Sequence, residues 1–220
     1  MPGRTILASG LAVVMVVSAG AQEKLNPKGG GEIGTVVEAW LSPHQEPGEE
    51  KDTPKGIPDA FRSKAPSLLR ADRRGIGHGR IRFTRDLSRA YVDVAVENVR
   101  AEDVVMFHIH CGPPDILGPI LVDFGHFDDV KTNFADGVYS FEVTNKEIER
   151  TATSGHGVVG VLTAGCPVVP TNPALGKVKT VAGMEAIARR GELYFNLHTK
   201  GQVYFGDIRG QLMPVTQAAR

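Results

Sequence analysis

The chain has 220 residues, of which 41% are hydrophobic, and its 25 basic and 25 acidic side chains leave no net formal charge. This size and composition indicate one globular domain with a buried core rather than a disordered chain. The charge balance argues against a nucleic-acid-binding protein, which needs a basic surface. After residue 21, no stretch stays apolar for the roughly 18 residues that a membrane span requires.

The first 21 residues have the pattern of an export signal. Arg4 supplies the positive charge, an apolar run follows it, and the small residues at 19 and 21 form a signal-peptidase site. We therefore predict cleavage before Gln22 and a periplasmic or secreted protein. The alternative is an uncleaved membrane anchor, for which this apolar segment is short.

The composition changes along the mature chain and suggests its domain organisation. Residues 22–34 are polar and rich in glycine, which predicts a flexible N-terminal segment. We expect the folded domain over 35–214, followed by a short tail over 215–220. Inside the domain, the segment 42–76 is rich in Pro, Glu and Lys, which predicts a long, exposed and mobile loop.

Most of the domain shows the alternation of apolar and polar residues that is typical of strands with one buried face. These runs cover residues 35–41, 78–86, 89–99, 103–111, 118–124, 137–144, 192–199 and 206–214. Residues 145–154 and 181–191 have helix-like character, and 157–165 is ambiguous. Many short strands separated by Gly and Pro turns predict an all-β fold, an antiparallel β-sandwich or barrel-like domain with one or two short helices.

The chain has two cysteines, Cys111 and Cys166. In an oxidising compartment, an even pair indicates one disulfide bond. The alternative is that Cys111, which directly follows a pair of histidines, is a thiolate ligand of a metal ion.

The predicted strand over 103–111 contains a His-x-His pair. Met106, His108 and His110 point to the same side of this strand. The two imidazoles lie about 7 Å apart, which one metal ion can bridge. His198 is the best third ligand and His126 the next. Imidazole suits copper and zinc, so these are the candidate ions, although no cofactor is certain.

The last two predicted strands carry further polar residues at alternate positions. If these strands lie beside the His-x-His strand, their polar side chains share the histidine face. The residues concerned are Asn196, Asp207, Arg209 and Gln211. They would form either an anion-binding surface or a structural hydrogen-bond network that holds the closing hairpin to the central strand.

Three segments resemble the chordin-type CHRD domain. They are "VVEAWLSPHQEP", "HIHCGPPDILGPILVDF" and "GELYFNLHTKGQVYFGDIRGQL", and the resemblance covers about residues 35–214. It implies an all-β module of exported proteins to which no established reaction belongs. The implied function is therefore a non-enzymatic binding or structural role, with an extracytoplasmic protein or glycan as the unknown partner.

A weaker resemblance is to Cu/Zn superoxide dismutase, which also has F-H-x-H on a strand of a β-sandwich, an intradomain disulfide and a functional arginine. In chain order, the corresponding residues are Phe107-His108-x-His110, His126, His198 and Arg209. The further histidines of that family's zinc site have no match here. The resemblance implies an alternative function: a periplasmic copper or zinc protein, redox-active, in which Arg209 steers an anion.

Overall fold

The computed structural model describes residues 31–155, 163–169 and 176–215. The predicted signal and most of the segment 22–34 lie outside these residues. The same is true of most of the ambiguous stretch 157–165 and most of the tail 215–220. Among the described residues, no helix is both long enough and apolar enough to cross a membrane.

Within the described ranges, eight strands form one antiparallel sheet. They are β1 Ile33–Leu41, β2 Ile76–Thr84, β3 Arg89–Glu97, β4 Val104–Cys111, β5 Ile120–Asp123, β6 Val138–Thr144, β7 Leu193–Thr199 and β8 Ile208–Pro214. Their order across the sheet is β5-β4-β7-β8-β1-β2-β3-β6, and the sheet curls into a half-barrel. The predicted all-β, barrel-like class is therefore confirmed.

In the described part of the chain, short helices and single turns connect the strands. The helices are α1 Val130–Asn133, α2 Asn145–Thr153 and α3 Val181–Ala188. Single 3-10 turns cover Pro43–Gln45, Glu50–Asp52, Asp59–Phe61, Arg70–Asp72, Ala101–Asp103 and Phe124–His126. Helix α2 begins with a capping box, in which the Glu147 carboxylate accepts from the Thr144 backbone N–H at 2.8 Å.

The hydrophobic core fills the inside of the curled sheet. Phe107 of β4 lies at its centre, with the rings of Phe124, Phe134, Tyr139 and Phe195 at centroid distances of 5.0–5.6 Å. Because side chains alternate along a strand, the inward position of Phe107 turns its neighbour at position 108 to the opposite, outer face.

The outer face of β7 is covered by the segment 42–76. The Glu50 carboxylate accepts from the backbone N–H groups of Tyr204 and Phe205, and the side-chain amide of Gln202 donates to the Leu68 carbonyl. All seven residues of β7 are consequently buried.

The predicted exposure of the segment 42–76 holds for residues 51–52, 54–56, 58–61, 66–69 and 71–72 but not for the whole segment. Glu46, Glu50 and Arg73 are buried. The prediction is wrong for these residues because their charged groups pack against the closing hairpin of the sheet. The Arg73 guanidinium, for example, donates to the Gly206 and Asp207 carbonyls at 2.9 Å.

The disulfide bond predicted between Cys111 and Cys166 is present, with the two Cα atoms 6.1 Å apart. It attaches the end of β4 to the segment that follows α2. The alternative in which Cys111 is a thiolate metal ligand is therefore wrong. Its sulfur is bonded to Cys166, and the alternation along β4 places Cys111 on the face opposite to His110.

Candidate functional site

The strand register brings the three best candidate ligands together. In β4, His108 and His110 lie on the outer face, and β7 pairs with β4 so that His198 is opposite Met106. On the far side of β7, Arg209 of β8 is opposite Asn196. The predicted neighbourhood of the central strand and the closing hairpin is thus present, with β7 lying between β4 and β8.

Three imidazole nitrogens converge on one point above this face. Nitrogens of His108, His110 and His198 lie within 4.8 Å of one another, and all three residues are buried. The Nδ1 atom of His108 and the Nε2 atoms of His110 and His198 have no hydrogen-bond partner. A metal ion could be held by any cluster of three or more His, Cys, Asp or Glu side chains, and within the described part of the chain these three histidines form the one such cluster.

In each of the three rings, the second nitrogen contacts a protein oxygen, and this contact determines the tautomer of the ring. Nδ1 of His110 lies 2.9 Å from the Gly118 carbonyl oxygen, and Nδ1 of His198 lies 2.9 Å from that of Val203. Because a carbonyl only accepts, both Nδ1 atoms carry the hydrogen and both Nε2 atoms keep their lone pair.

The third ring is oriented by a carboxylate. Nε2 of His108 lies 3.5 Å from Oδ1 of Asp123, the residue opposite it in β5. Burial raises the pKa of Asp123, but the hydrogen bond from His108, the electrostatic effects of His108 and His126 and the Gly125 N–H together hold the pKa below its usual value. The ionised carboxylate fixes the hydrogen on Nε2 of His108 and leaves Nδ1 as the lone-pair nitrogen. Such carboxylate–histidine pairs are typical of the shell around a metal ion.

Burial keeps two of the imidazoles neutral. It lowers the pKa of His198 to about 3, with a further contribution from the charge of His108. Burial and His108 also hold the pKa of His110 well below its ordinary value. Neutral imidazole is the form that coordinates metals, so both rings are in the ligand form at physiological pH.

The arrangement fits a metal ion with three imidazole ligands. A tetrahedral ion at 2.0–2.1 Å from each nitrogen needs the nitrogens roughly 3.4 Å apart, so small inward rotations of the rings would complete the coordination. The rings are already close, with centroid distances of 5.1 Å from His108 to His198 and 5.3 Å from His108 to His110.

The fourth candidate ligand, His126, lies outside this group. Its Nε2 is 3.5 Å from Oδ2 of Asp123, so it contacts the carboxylate that orients His108. His78 lies in β2, where its ring stacks on Trp40 at 4.2 Å.

The three free nitrogens face a cavity of about 270 Å³. Its wall is mainly apolar and includes Ile57 and Phe61 from the covering segment, Leu117 and Ile120 near β5, and Val203 of the closing hairpin. The cavity thus adjoins the three histidines, whose unpartnered nitrogens are themselves buried.

Arg209 belongs to the support of the site and not to the cavity wall. Its guanidinium donates to the Ile116 carbonyl at 2.9 Å and to the Pro113 carbonyl at 3.1 Å. It also lies 3.5 Å from the ring centroid of Tyr194, which stacks on His110 at 4.9 Å. Arg209 thus holds the 113–118 loop and the ring beneath His110.

Gln211 and Asp207 likewise hold the backbone. The Gln211 amide donates to the carbonyls of Gly112, Gly191 and Leu193 at 2.7–3.0 Å. The Asp207 carboxylate lies 3.9 Å from the Arg73 guanidinium.

Glu46 is a buried carboxyl group that lies behind the cavity wall, and no chemical role is predicted for it from the sequence. Both oxygens of Glu46 and the side-chain oxygen of Asn196 are buried without a hydrogen-bond partner. A Cβ atom at Gly206 (φ +92°) would lie 1.9 Å from the Asn196 oxygen and 2.8 Å from the Glu46 oxygen, so both oxygens crowd this glycine. Burial raises the pKa of Glu46 to about 8, against the lowering effects of Arg209, Arg73 and Arg70.

Comparison with known proteins gives one match. The family model of the CHRD domain matches residues 66–212, which is more than half of the chain. No curated protein and no solved structure matches the chain.

Proposed function

Since the chain belongs to the CHRD domain family and is a binding or structural module, we propose that its ligand is a single transition-metal ion. His108, His110 and His198 are the proposed ligands, and copper and zinc are the ions that suit an all-imidazole set. Asp123 orients His108, and His126 supports Asp123 from the outside.

One observation carries this proposal: each of the three buried rings uses one nitrogen and leaves the other unpartnered toward a common point. A purely structural network would bury three unsatisfied acceptors side by side, at about 1–3 kcal/mol each. A metal ion satisfies all three at once. The hydrogen bonds to Gly118 and Val203 are then the outer contacts that fix the ligand tautomers.

The anion-steering role considered for Arg209 has less support than the metal site itself. Its guanidinium is engaged by two carbonyl groups and the Tyr194 ring. A superoxide dismutase-like activity would therefore need another cation at the cavity.

We expect the untagged protein to retain about one metal ion per chain after exposure to Zn(II) or Cu(II) and desalting. A His108→Ala/His110→Ala variant should retain none, because two of three ligands are missing. Metal content is read by elemental mass spectrometry. His78→Ala is the matched control, since it removes a strand histidine remote from the site and should keep wild-type metal content.

The result would contradict the proposal if the wild type held no metal, or if the double variant kept as much as the wild type. Circular dichroism of the metal-free proteins shows whether the variant is folded. The substitutions remove the hydrogen bond from His110 to the Gly118 carbonyl and the contact of His108 with Asp123, but no residue of the hydrophobic core, so we expect the spectrum of a folded β protein.

Export is the second part of the proposal. It is supported by the signal pattern in the first 21 residues and by the Cys111–Cys166 disulfide, a bond typical of oxidising compartments. Expression of the whole precursor should place the protein outside the cytoplasm with an intact mass that begins at Gln22. A mass that includes Met1, in a membrane fraction, would instead indicate the uncleaved anchor.

A further inference from the structure

One soft donor lies beside the three imidazoles. Met106 lies on the same face of β4 as His108 and His110, and it is directly opposite His198 in the β4–β7 register. It also lines the same cavity as the three histidines. Met106 is therefore a neighbour of the ligand set, on the strand that supplies two of the ligands.

Several other donors near the triad are engaged elsewhere. The two oxygens of Asp123 contact His108 and His126, and the hydroxyl of Tyr194 accepts from the Gly118 N–H at 3.0 Å. The sulfur of Cys111 is in the disulfide bond. Among the described residues that line the cavity, Met106 carries the one sulfur atom.

This donor set discriminates between the two candidate ions. Zinc is satisfied by imidazole and a water or carboxylate oxygen, whereas thioether sulfur is a soft ligand that favours Cu(I). The wall of the cavity is mainly apolar, which reinforces this preference because apolar surroundings favour an ion of low charge.

Resting on the metal site proposed above, we infer that Met106 is a fourth ligand and makes this a Cu(I)-selective site. Three imidazoles and one thioether complete a four-coordinate shell for the monovalent ion. Zn(II) binds to the three histidines without a bond to the sulfur.

The test compares Met106→Leu with wild type. Leucine keeps the volume and apolarity of methionine, so the fold and the three imidazoles are retained. Cu(I) affinity is measured anaerobically against a chromophoric Cu(I) chelator, and Zn(II) affinity against a zinc chelator. The matched control is Met213→Leu, an exposed methionine in β8 that does not line the cavity.

We expect Met106→Leu to weaken Cu(I) binding by at least tenfold, since loss of even an outer-shell partner costs about 10–100-fold. Zn(II) affinity should stay within about threefold of wild type. X-ray absorption at the copper edge should show a sulfur scatterer that the variant lacks. Met213→Leu should match wild type in all three measurements.

Two outcomes would overturn the inference while leaving the histidine site intact. One is unchanged Cu(I) affinity with no sulfur scatterer in the wild type. The other is an equal loss of Cu(I) and Zn(II) affinity, which would make Met106 a packing residue of the cavity. A wild type that binds neither ion would instead overturn the metal site itself.

Discussion

Arg209→Ala is expected to lower the free energy of unfolding by about 3–5 kcal/mol. This is the typical cost of removing a buried charged group that has several partners. Arg209 is 1% exposed. Its removal leaves the carbonyls of Ile116 and Pro113 without their donor and takes the cation from the Tyr194 ring. Lysine cannot restore these contacts, because it lacks the planar fork of donors.

Urea unfolding of the metal-free protein measures this effect. The matched control is Arg80→Ala, which removes an arginine from the exposed face of β2 and should cost no more than about 1 kcal/mol. A similar, small loss for both variants would show that Arg209 does not support the site. The expected difference separates the supporting role from anion steering, which would leave stability unchanged.

Glu46→Gln is expected to remove the fall in stability that Glu46 causes between pH 5 and pH 8. The pKa of Glu46 is about 8 in the folded protein because the group is buried, against about 4.5 when it is exposed. The folded state therefore holds a proton that the unfolded state has released between these values. Its contribution is fully present below pH 4.5 and is lost as the pH rises to 8, by an amount on the order of 4 kcal/mol.

Chemical unfolding at pH 5 and pH 8 gives the necessary comparison. Relative to wild type, Glu46→Gln should gain stability steadily between these two values, because glutamine stays neutral at both. The control is Glu149→Gln, on the exposed side of α2, whose free energy of unfolding should change with pH in the same way as that of wild type. A constant difference between Glu46→Gln and wild type would show that Glu46 is ionised throughout this range.

The strands and the shared face of the histidines follow from local sequence. Alternation along β4 fixes which side chains point together, and it places Met106 with His108 and His110 before any pairing is known. The same alternation assigns His198 to the outer face of β7. The relative position of the two strands is a long-range property that alternation does not determine, so their adjacency is a hypothesis at the level of sequence, and the pairing of β4 with β7 confirms it.

The contacts that tune the site were not predictable from the sequence. Asp123 orients the ring of His108 because β5 pairs with β4 in the register that places these two residues opposite each other. Sequence alternation alone does not determine which residues are paired. Glu46 appeared in the opening motif, but its sequence neighbours are charged and proline-rich, which indicates an exposed loop. Its burial results from tertiary packing against β8, where Gln45 accepts from the Gln211 N–H at 2.9 Å.

The decisive experiment on the histidine site is anomalous X-ray diffraction from crystals of the zinc-loaded protein, measured just above and just below the zinc edge. We expect one anomalous peak that is present only above the edge. It should lie about 2.0–2.1 Å from Nδ1 of His108 and from Nε2 of His110 and His198. A peak bound elsewhere, or three histidines with no peak between them in zinc-loaded crystals, would contradict this expectation.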